Sequence, residues 1–377
     1  MSRGPASRIR VGLALACAGL AAGCGTQAAT VAVTRPAAVT ASLSTSLTTA
    51  QGTWAIAVMG GSAASHNNFW QLFVRRANTG RWSLTTPQGV ADNGGLVAAG
   101  GNGSLVVGFR PSQELAYSPL ATSTDAGLNW TPGLLDAVLA DTPGAIAVGP
   151  SGRTLALLQD GTIEAAPTAG SAAAGRWAPL TTLTALAASA PGRSCGLEGV
   201  SAVSFGTNDS PMAAGSCARP GVAGVFTDAG GTWRSAGLAL PGRGPVRVLG
   251  LVATAGGNEA LLAAGKSLFA AWRHGTRWTV SATVTADGAL RAAGFGPGGS
   301  AWLLPGGGRA QAIGGPGSSW RALPPVPAGT TVLAPGTGGS YDALAVSASR
   351  LTVWRLARGA WDKVQQISVP VQYGSSG

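Results

Sequence analysis

The side chains able to do chemistry are few and scattered. His66 and His274 are the two histidines, and neither stands among cysteines or carboxylates at the spacing a metal site needs. A serine triad would have to use one of them, and no nucleophile-elbow motif supports it. Tyr117 lies near Glu114, Tyr341 precedes Asp342, and Tyr373 is close to the C-terminus. Two carboxylates of opposed role cannot be assigned around them. Ala264-Gly265-Lys266-Ser267 has the end of a phosphate-binding loop without its first glycine, which would fall on Ala260. Gly294-Phe295-Gly296-Pro297-Gly298-Gly299 fits G-x-G-x-x-G, but a chain with 59 glycines produces such a match by accident. Both read as turns. The expectation is a protein without metal, cofactor or catalytic residues, and not an enzyme.

The cysteines carry more information. Arg3, Arg8 and Arg10 precede a short apolar run that ends Leu20-Ala21-Ala22-Gly23-Cys24. A basic start, an apolar stretch too short to span a bilayer and small residues at its end form an export signal. The last five residues resemble the lipobox of bacterial lipoproteins. That resemblance implies cleavage before Cys24 and a diacylglyceryl group on its sulfur, an anchor worth roughly 0.8 kcal/mol per buried CH₂. The pattern departs from the family at Ala21, where Leu is more usual. Cys17 follows Leu15-Ala16, with a large residue where a small one is preferred. An ordinary secretory signal cut near Ala22 or Ala29 is the alternative, and it also means export. Residues 24–50 are rich in Thr, Ala and Ser and read as a tether with too little apolar surface to fold. Cys195 and Cys217 are the remaining pair, and an oxidising compartment predicts a disulfide between them.

Composition sets the class. The 377 residues include 59 Gly and 23 Pro with 10% charged residues, which favours many short strands and turns over long helices. Without residues 1–23 the chain keeps 22 basic residues against 14 acidic ones. Only Lys266 and Lys363 are lysines. No basic run is interleaved with aromatics, so nucleic acid is not an expected partner. Anionic head groups or envelope polymers fit the modest positive charge.

A tryptophan recurs at Trp82, Trp130, Trp177, Trp233, Trp278, Trp320 and Trp361, each just after a Gly-containing turn. The intervals of 48, 47, 56, 45, 42 and 41 residues match the length of a four-stranded propeller blade. Two copies are fuller, Ser123-Thr124-Asp125-Ala126-Gly127-Leu128-Asn129-Trp130 and Thr227-Asp228-Ala229-Gly230-Gly231-Thr232-Trp233. They resemble the Asp-box, or BNR repeat, S-x-D-x-G-x-T-W, with Asn129 for Thr in one and Phe226 for Ser in the other. The resemblance gives Ser123, Asp125, Gly127, Trp130, Asp228, Gly230 and Trp233 structural roles in turns at a blade's outer edge. It implies a seven-bladed, all-β propeller over residues 51–377.

Between the tryptophans, short apolar runs such as VRVLGLVAT, EALLAAG, LFAAW and RWTVSATV alternate with turns. The first blade shows only three clear runs, so ISVPVQYG at the C-terminus is expected to supply its inner strand and close the ring. Some Asp-box propellers are sialidases, which use three arginines, a Tyr nucleophile paired with a Glu, and an Asp. Phe109-Arg110-Pro111 only loosely resembles that family's arginine motif. The 56-residue interval contains APGRSCGLEG, opposite SCARPG across the expected disulfide, and makes Arg193, Glu198 and Arg219 a candidate recognition surface. The functional expectation is an anchored, monomeric, extracytoplasmic propeller that binds a protein or glycan partner. A degenerate exo-glycosidase and an envelope-complex assembly factor, similar to photosystem II assembly proteins in the repeat alone, are the alternatives.

Overall fold

The structure is a computed structural model that describes residues 46–60, 68–87, 92–100, 103–111, 120–132, 143–206, 208–240, 244–254, 257–307, 309–336 and 339–369. Cys24 and its tether up to residue 45 lie outside the described residues, as do Glu114, Tyr117 and Tyr373. Seven antiparallel sheets, each with four strands in its main path, form the blades of a propeller.

Blade one is β1 (Ser46–Thr49), β2 (Gly52–Gly60), β3 (Asn68–Arg76) and β4 (Trp82–Leu84). Blade two is β5 (Asp92–Ala99), β6 (Leu105–Pro111), β7 (Leu120–Ser123) and β8 (Thr131–Pro132). Blade three is β9 (Ala145–Val148), β10 (Thr154–Leu157), β11 (Ile163–Ala166) and β12 (Ala178–Thr181), with α1 (Ala169–Ala173) before its last strand. Two short helices follow, α2 (Leu183–Ala188) and α3 (Ala190–Cys195). Blade four is β13 (Leu197–Phe205), β14 (Pro211–Cys217), β15 (Ala223–Asp228) and β16 (Trp233–Ser235). Blade five is β17 (Arg247–Thr254), β18 (Gly257–Ala264), β19 (Ser267–His274) and β20 (Arg277–Val280), with β21 (Val284–Thr285) also on β19. Blade six is β22 (Leu290–Phe295), β23 (Ala301–Pro305), β24 (Gln311–Ile313) and β25 (Arg321–Ala322). Blade seven is β26 (Thr330–Pro335), β27 (Tyr341–Ser347), β28 (Arg350–Ala357) and β29 (Ala360–Ser368).

Each sheet is packed on both sides, which is why its strands read as unbroken apolar runs instead of alternating ones. In β18, Ala260 and Leu262 enter the seam with blade four, while Leu261 and Ala263 enter the seam with blade six. The recurring tryptophans open the outermost strands and tie neighbouring blades together. Trp278 Nε1 donates to the Ala236 carbonyl at 2.8 Å, Trp320 to Ala282 at 3.1 Å and Trp361 to Pro324 at 3.3 Å. Each acceptor lies just beyond the outer strand of the preceding blade.

Ring closure corrects the expectation drawn from the C-terminus. The inner strand of blade one is β1, from the N-terminal side, and it lies within the segment read as tether. Ser46 Oγ donates to the Leu333 carbonyl at 2.7 Å and Thr48 Oγ1 to Pro335 at 3.3 Å, both in blade seven. Small hydroxyl side chains suit this place because the inner strand borders the ring axis, where space is scarce and neighbouring carbonyls need donors. Of ISVPVQYG, Ile367 and Ser368 end β29 and Val369 packs into the seam with blade one, and the rest lies outside the described residues.

A polar latch completes the closure. Asp342 of β27, fully buried, accepts from Arg75 Nη1 at 2.5 Å, from Arg355 Nε at 2.8 Å and from Trp82 Nε1 at 2.8 Å. Gln365 of β29 pairs with the main chain of Trp82, accepting from its N–H at 2.9 Å and donating to its carbonyl at 2.7 Å.

Candidate functional site

Meandering blades put two kinds of connection on each face of the ring. One face carries the hairpins that follow the inner strands, and the other carries the blade-to-blade linkers. Five of the hairpins share the frame Gly100…Ser104, Gly149…Arg153, Gly206…Ser210, Gly296…Ser300 and Gly336…Ser340. In each, the first glycine N–H donates to the carbonyl of the fifth residue at 2.6–2.8 Å. The fourth residue is left-handed, which explains Asp209 at φ 60° where the other four have Gly. A Cβ on Gly296 or Gly336 would strike the hydroxyl of Ser300 or Ser340. The pattern G-x-x-x-S, with Arg153 in place of Ser in blade three, precedes an apolar run in the sequence and marks the hairpin face.

These hairpins ring the mouth of a central channel of about 350 Å³ lined by residues of β1, β5, β9, β13, β17 and β22. Leu47, Val97, Val203, Phe205, Leu251 and Phe295 give it an apolar wall, and no charged side chain is among the described residues that line it. At the hairpin face the channel opens into a bowl of about 690 Å³ with Arg75, Arg76 and Arg355 on its border. Thr254 lines the channel, the bowl and a third cavity of about 250 Å³.

That third cavity is a wedge between blades five and six. Glu259 has the same strand parity as Leu261, so its side chain is directed into the seam opposite Trp272. It is 3% exposed and its Oε2 has no hydrogen-bond partner. Burial lifts its carboxyl to about 7, against a smaller lowering by the Thr254 hydroxyl. A carboxyl with that value exists in both protonation states near neutrality and can pass a proton in either direction. His274 lies on the wall of the same cavity.

The sequence-derived candidates fall elsewhere. Arg193 in α3, Glu198 in β13 and Arg219 after β14 are exposed on the linker face, opposite the hairpin crown. The Cys195–Cys217 disulfide, with Cα atoms 5.4 Å apart, brings their segments together. Arg219 N–H donates to the Cys195 carbonyl at 3.0 Å and Ala218 N–H to Gly196 at 2.8 Å. Arg193 donates to the Ala188 carbonyl, and Glu198 forms no ion pair with either arginine. The long interval is α2 and α3, not an irregular loop. Thr182 and Ser189 cap their N-termini and Gly196 at φ 67° ends the second, a capping pattern legible in the sequence but masked by its short length.

The aspartate turns sit at the outer edge of the hairpin face. Asp125 accepts from the backbone N–H groups of Asn129 at 2.9 Å and Leu128 at 3.0 Å and from the Ser123 hydroxyl at 2.7 Å. The Asn129 N–H, followed by the Ser123 hydroxyl, holds its carboxyl at about 2. Gly127 N–H donates to Ser123 Oγ at 2.8 Å, and Asp228 accepts from Gly231 N–H at 2.8 Å. Gly230 is left-handed at φ 67°, and Trp130 and Trp233 are half-buried. Tyr341 is buried with a raised hydroxyl pKa, caused by desolvation, and Asp342 is committed to the latch. Neither is a free partner for a glycosidase mechanism.

No family model and no curated protein matches the sequence. Solved structures do match. A protein from Bacteroides uniformis provisionally named 6-phosphogluconolactonase is 14% identical, with 85% of this chain and 98% of that one covered and a TM-score of 0.52. YCF48 from Cyanidioschyzon merolae is 17% identical over 84% of this chain and 95% of that one, with a TM-score of 0.42. A complex described as YCF48 bound to D1 peptide is 14% identical over 80% and 89%, with a TM-score of 0.43. The chain is a seven-bladed β-propeller. The expectation that it is not an enzyme is corrected by the first of these neighbours, which shares the ring and bears an enzyme's name. This ring therefore gives no ground for excluding catalysis.

Proposed function

We propose that the protein is an exported Asp-box propeller, anchored through lipid on Cys24, that recognises an envelope protein or glycan at its hairpin face. The observation that carries this reading is the channel, with no charged side chain among the described residues that line it, opening through a ring of small-residue hairpins into a bowl bordered by arginines, with Thr254 shared by three cavities. A concave apolar pocket with a few polar groups converging on it is the usual form of a binding site. The Ser123–Trp130 and Thr227–Trp233 turns support the Asp-box assignment, and Leu20–Cys24 supports the anchor. The exposed Arg193, Glu198 and Arg219, on the opposite face, are the alternative recognition surface.

Site-specific photo-crosslinking in cells tests the reading. A crosslinker at Thr254 is expected to capture a discrete adduct that one at the outer-strand residue Val364 does not. Digestion with protease or glycosidase assigns the adduct to protein or glycan. Adducts that are identical from the two positions, or absent at Thr254, overturn it.

Glu259 favours a second reading, a hydrolase in which this carboxyl transfers a proton to a ligand in the wedge. Turnover of sugar lactones or aryl glycosides that disappears in Glu259→Gln supports it, and turnover unchanged in the variant refutes it.

A further inference from the structure

The seam between blades four and five has a different character at its two ends. Along most of its length it is apolar, with Met212, Ala214 and Val225 against Ala260, Leu262 and Phe269. At the hairpin face the same strand rows continue into polar residues. Thr227 and Arg234 are cross-strand neighbours in blade four, and Asn258 and Arg273 are cross-strand neighbours in blade five. Strand parity directs both pairs into the seam, where they line a groove of about 800 Å³.

The electrostatics of this groove are one-sided. Arg234 and Arg273 line it, and no carboxylate does so among the described residues. Of the acids nearest in sequence, Glu259 has the strand parity of the opposite seam, and Asp209 and Asp228 are engaged elsewhere. Asp209 accepts from the Ser151 hydroxyl of the blade-three hairpin at 2.5 Å, and Asp228 is held within its own turn by Gly231 N–H. Among the other arginines of this face, Arg75 and Arg355 are paired with Asp342, and Arg76 donates to the Ala126 carbonyl at 2.9 Å. Arg273 Nε and Thr227 Oγ1 are both buried and have no partner. A buried donor left unpaired is destabilising; Arg273 Nε–H can only donate, and the Thr227 hydroxyl is able to donate to the same acceptor.

We propose that the groove between blades four and five is a binding site for an oxyanion group, a carboxylate or a phosphate carried by a larger ligand. Arg273 Nε–H and the Arg234 guanidinium supply charge-assisted hydrogen bonds. Thr227 Oγ1 adds a hydroxyl donor. The site is separate from the channel mouth and does not require that the mouth binds a partner.

The test uses the mature full-length protein with inorganic phosphate and with acetate, each compared with chloride at equal ionic strength. Heteronuclear NMR follows the amides of β15, β16, β18 and β19. Saturable shifts with phosphate, acetate or both are expected, and the effective ion identifies the source chemistry. Arg234→Gln, which removes an exposed side chain and leaves the seam intact, is expected to weaken the apparent Kd by about tenfold. Thr227→Val and Arg273→Gln are expected to weaken it as well. Shifts no larger than those of chloride overturn the proposal, as does a Kd unchanged in both Arg234→Gln and Thr227→Val.

Discussion

Replacing Asp342 by Asn probes how the ring is held shut. The carboxylate is fully buried and accepts four hydrogen bonds, from Arg75 Nη1 at 2.5 Å, Arg355 Nε at 2.8 Å, Arg355 Nη2 at 3.1 Å and Trp82 Nε1 at 2.8 Å. Asn keeps the volume but offers one acceptor oxygen and no charge, so two guanidiniums lose their counter-ion. The Arg75 side chain is only 13% exposed and cannot turn to water without leaving the seam. Removing one partner of such a buried pair costs about 3–5 kcal/mol, or roughly 10² to several 10³ in the unfolding equilibrium. Urea unfolding followed by tryptophan fluorescence measures the loss, and a cycle with Arg75→Gln isolates the pair. The two changes should be strongly non-additive. Hydrogen exchange should rise in β2, β3 and β27, which belong to the first and last blades. A loss below about 1 kcal/mol, the range of exposed pairs, or simple additivity with Arg75→Gln would refute the latch.

Three further outcomes are expected. Glu259 has a folded-state value of about 7 against an ordinary 4.5, so the folded protein holds this proton more tightly than the unfolded chain. The resulting stability is fully present below pH 4.5 and is lost as pH rises through 7; Glu259→Gln should raise stability by up to about 3 kcal/mol at pH 8 and leave it nearly unchanged at pH 4, read from urea midpoints. Changing Cys195 and Cys217 together to Ser opens a covalent loop with a sequence separation of 22 and should cost about 3 kcal/mol in the chain-entropy description, with dithiothreitol lowering wild-type stability similarly and leaving the variant unaffected. Deleting Ser46–Thr49 should lower the thermal midpoint markedly, because β2 loses its inner partner and Leu333 and Pro335 lose their hydroxyl donors, whereas deleting only residues 26–45 should leave the midpoint unchanged.

The blades were legible because each one repeats a physical necessity. A tryptophan after a turn begins every outer strand, and its spacing counts the blades without any knowledge of contacts. Closure was not legible. Ser46–Thr49 has the composition of a tether, and only the tertiary structure shows that hydroxyl side chains are what an axial strand needs to reach Leu333 and Pro335. The candidate sites were hidden for a related reason. Strands buried on both faces do not alternate, so Glu259 and Arg273 look like polar ends of a hairpin until the parity of β18 and β19 directs them into different seams. The five shared hairpins left a usable signal, Gly followed four residues later by Ser or Arg before an apolar run, but a glycine-rich chain dilutes it.

Acylation of Cys24 is the point on which the proposal of a membrane-held recognition module turns. Cells expressing the full chain are grown with radiolabelled palmitate, and the protein is recovered from membrane and soluble fractions. Label on the wild-type chain in the membrane fraction, absent from Cys24→Ala together with release of that variant, is the predicted result. An unlabelled wild-type chain, or labelling that persists in Cys24→Ala, would contradict it.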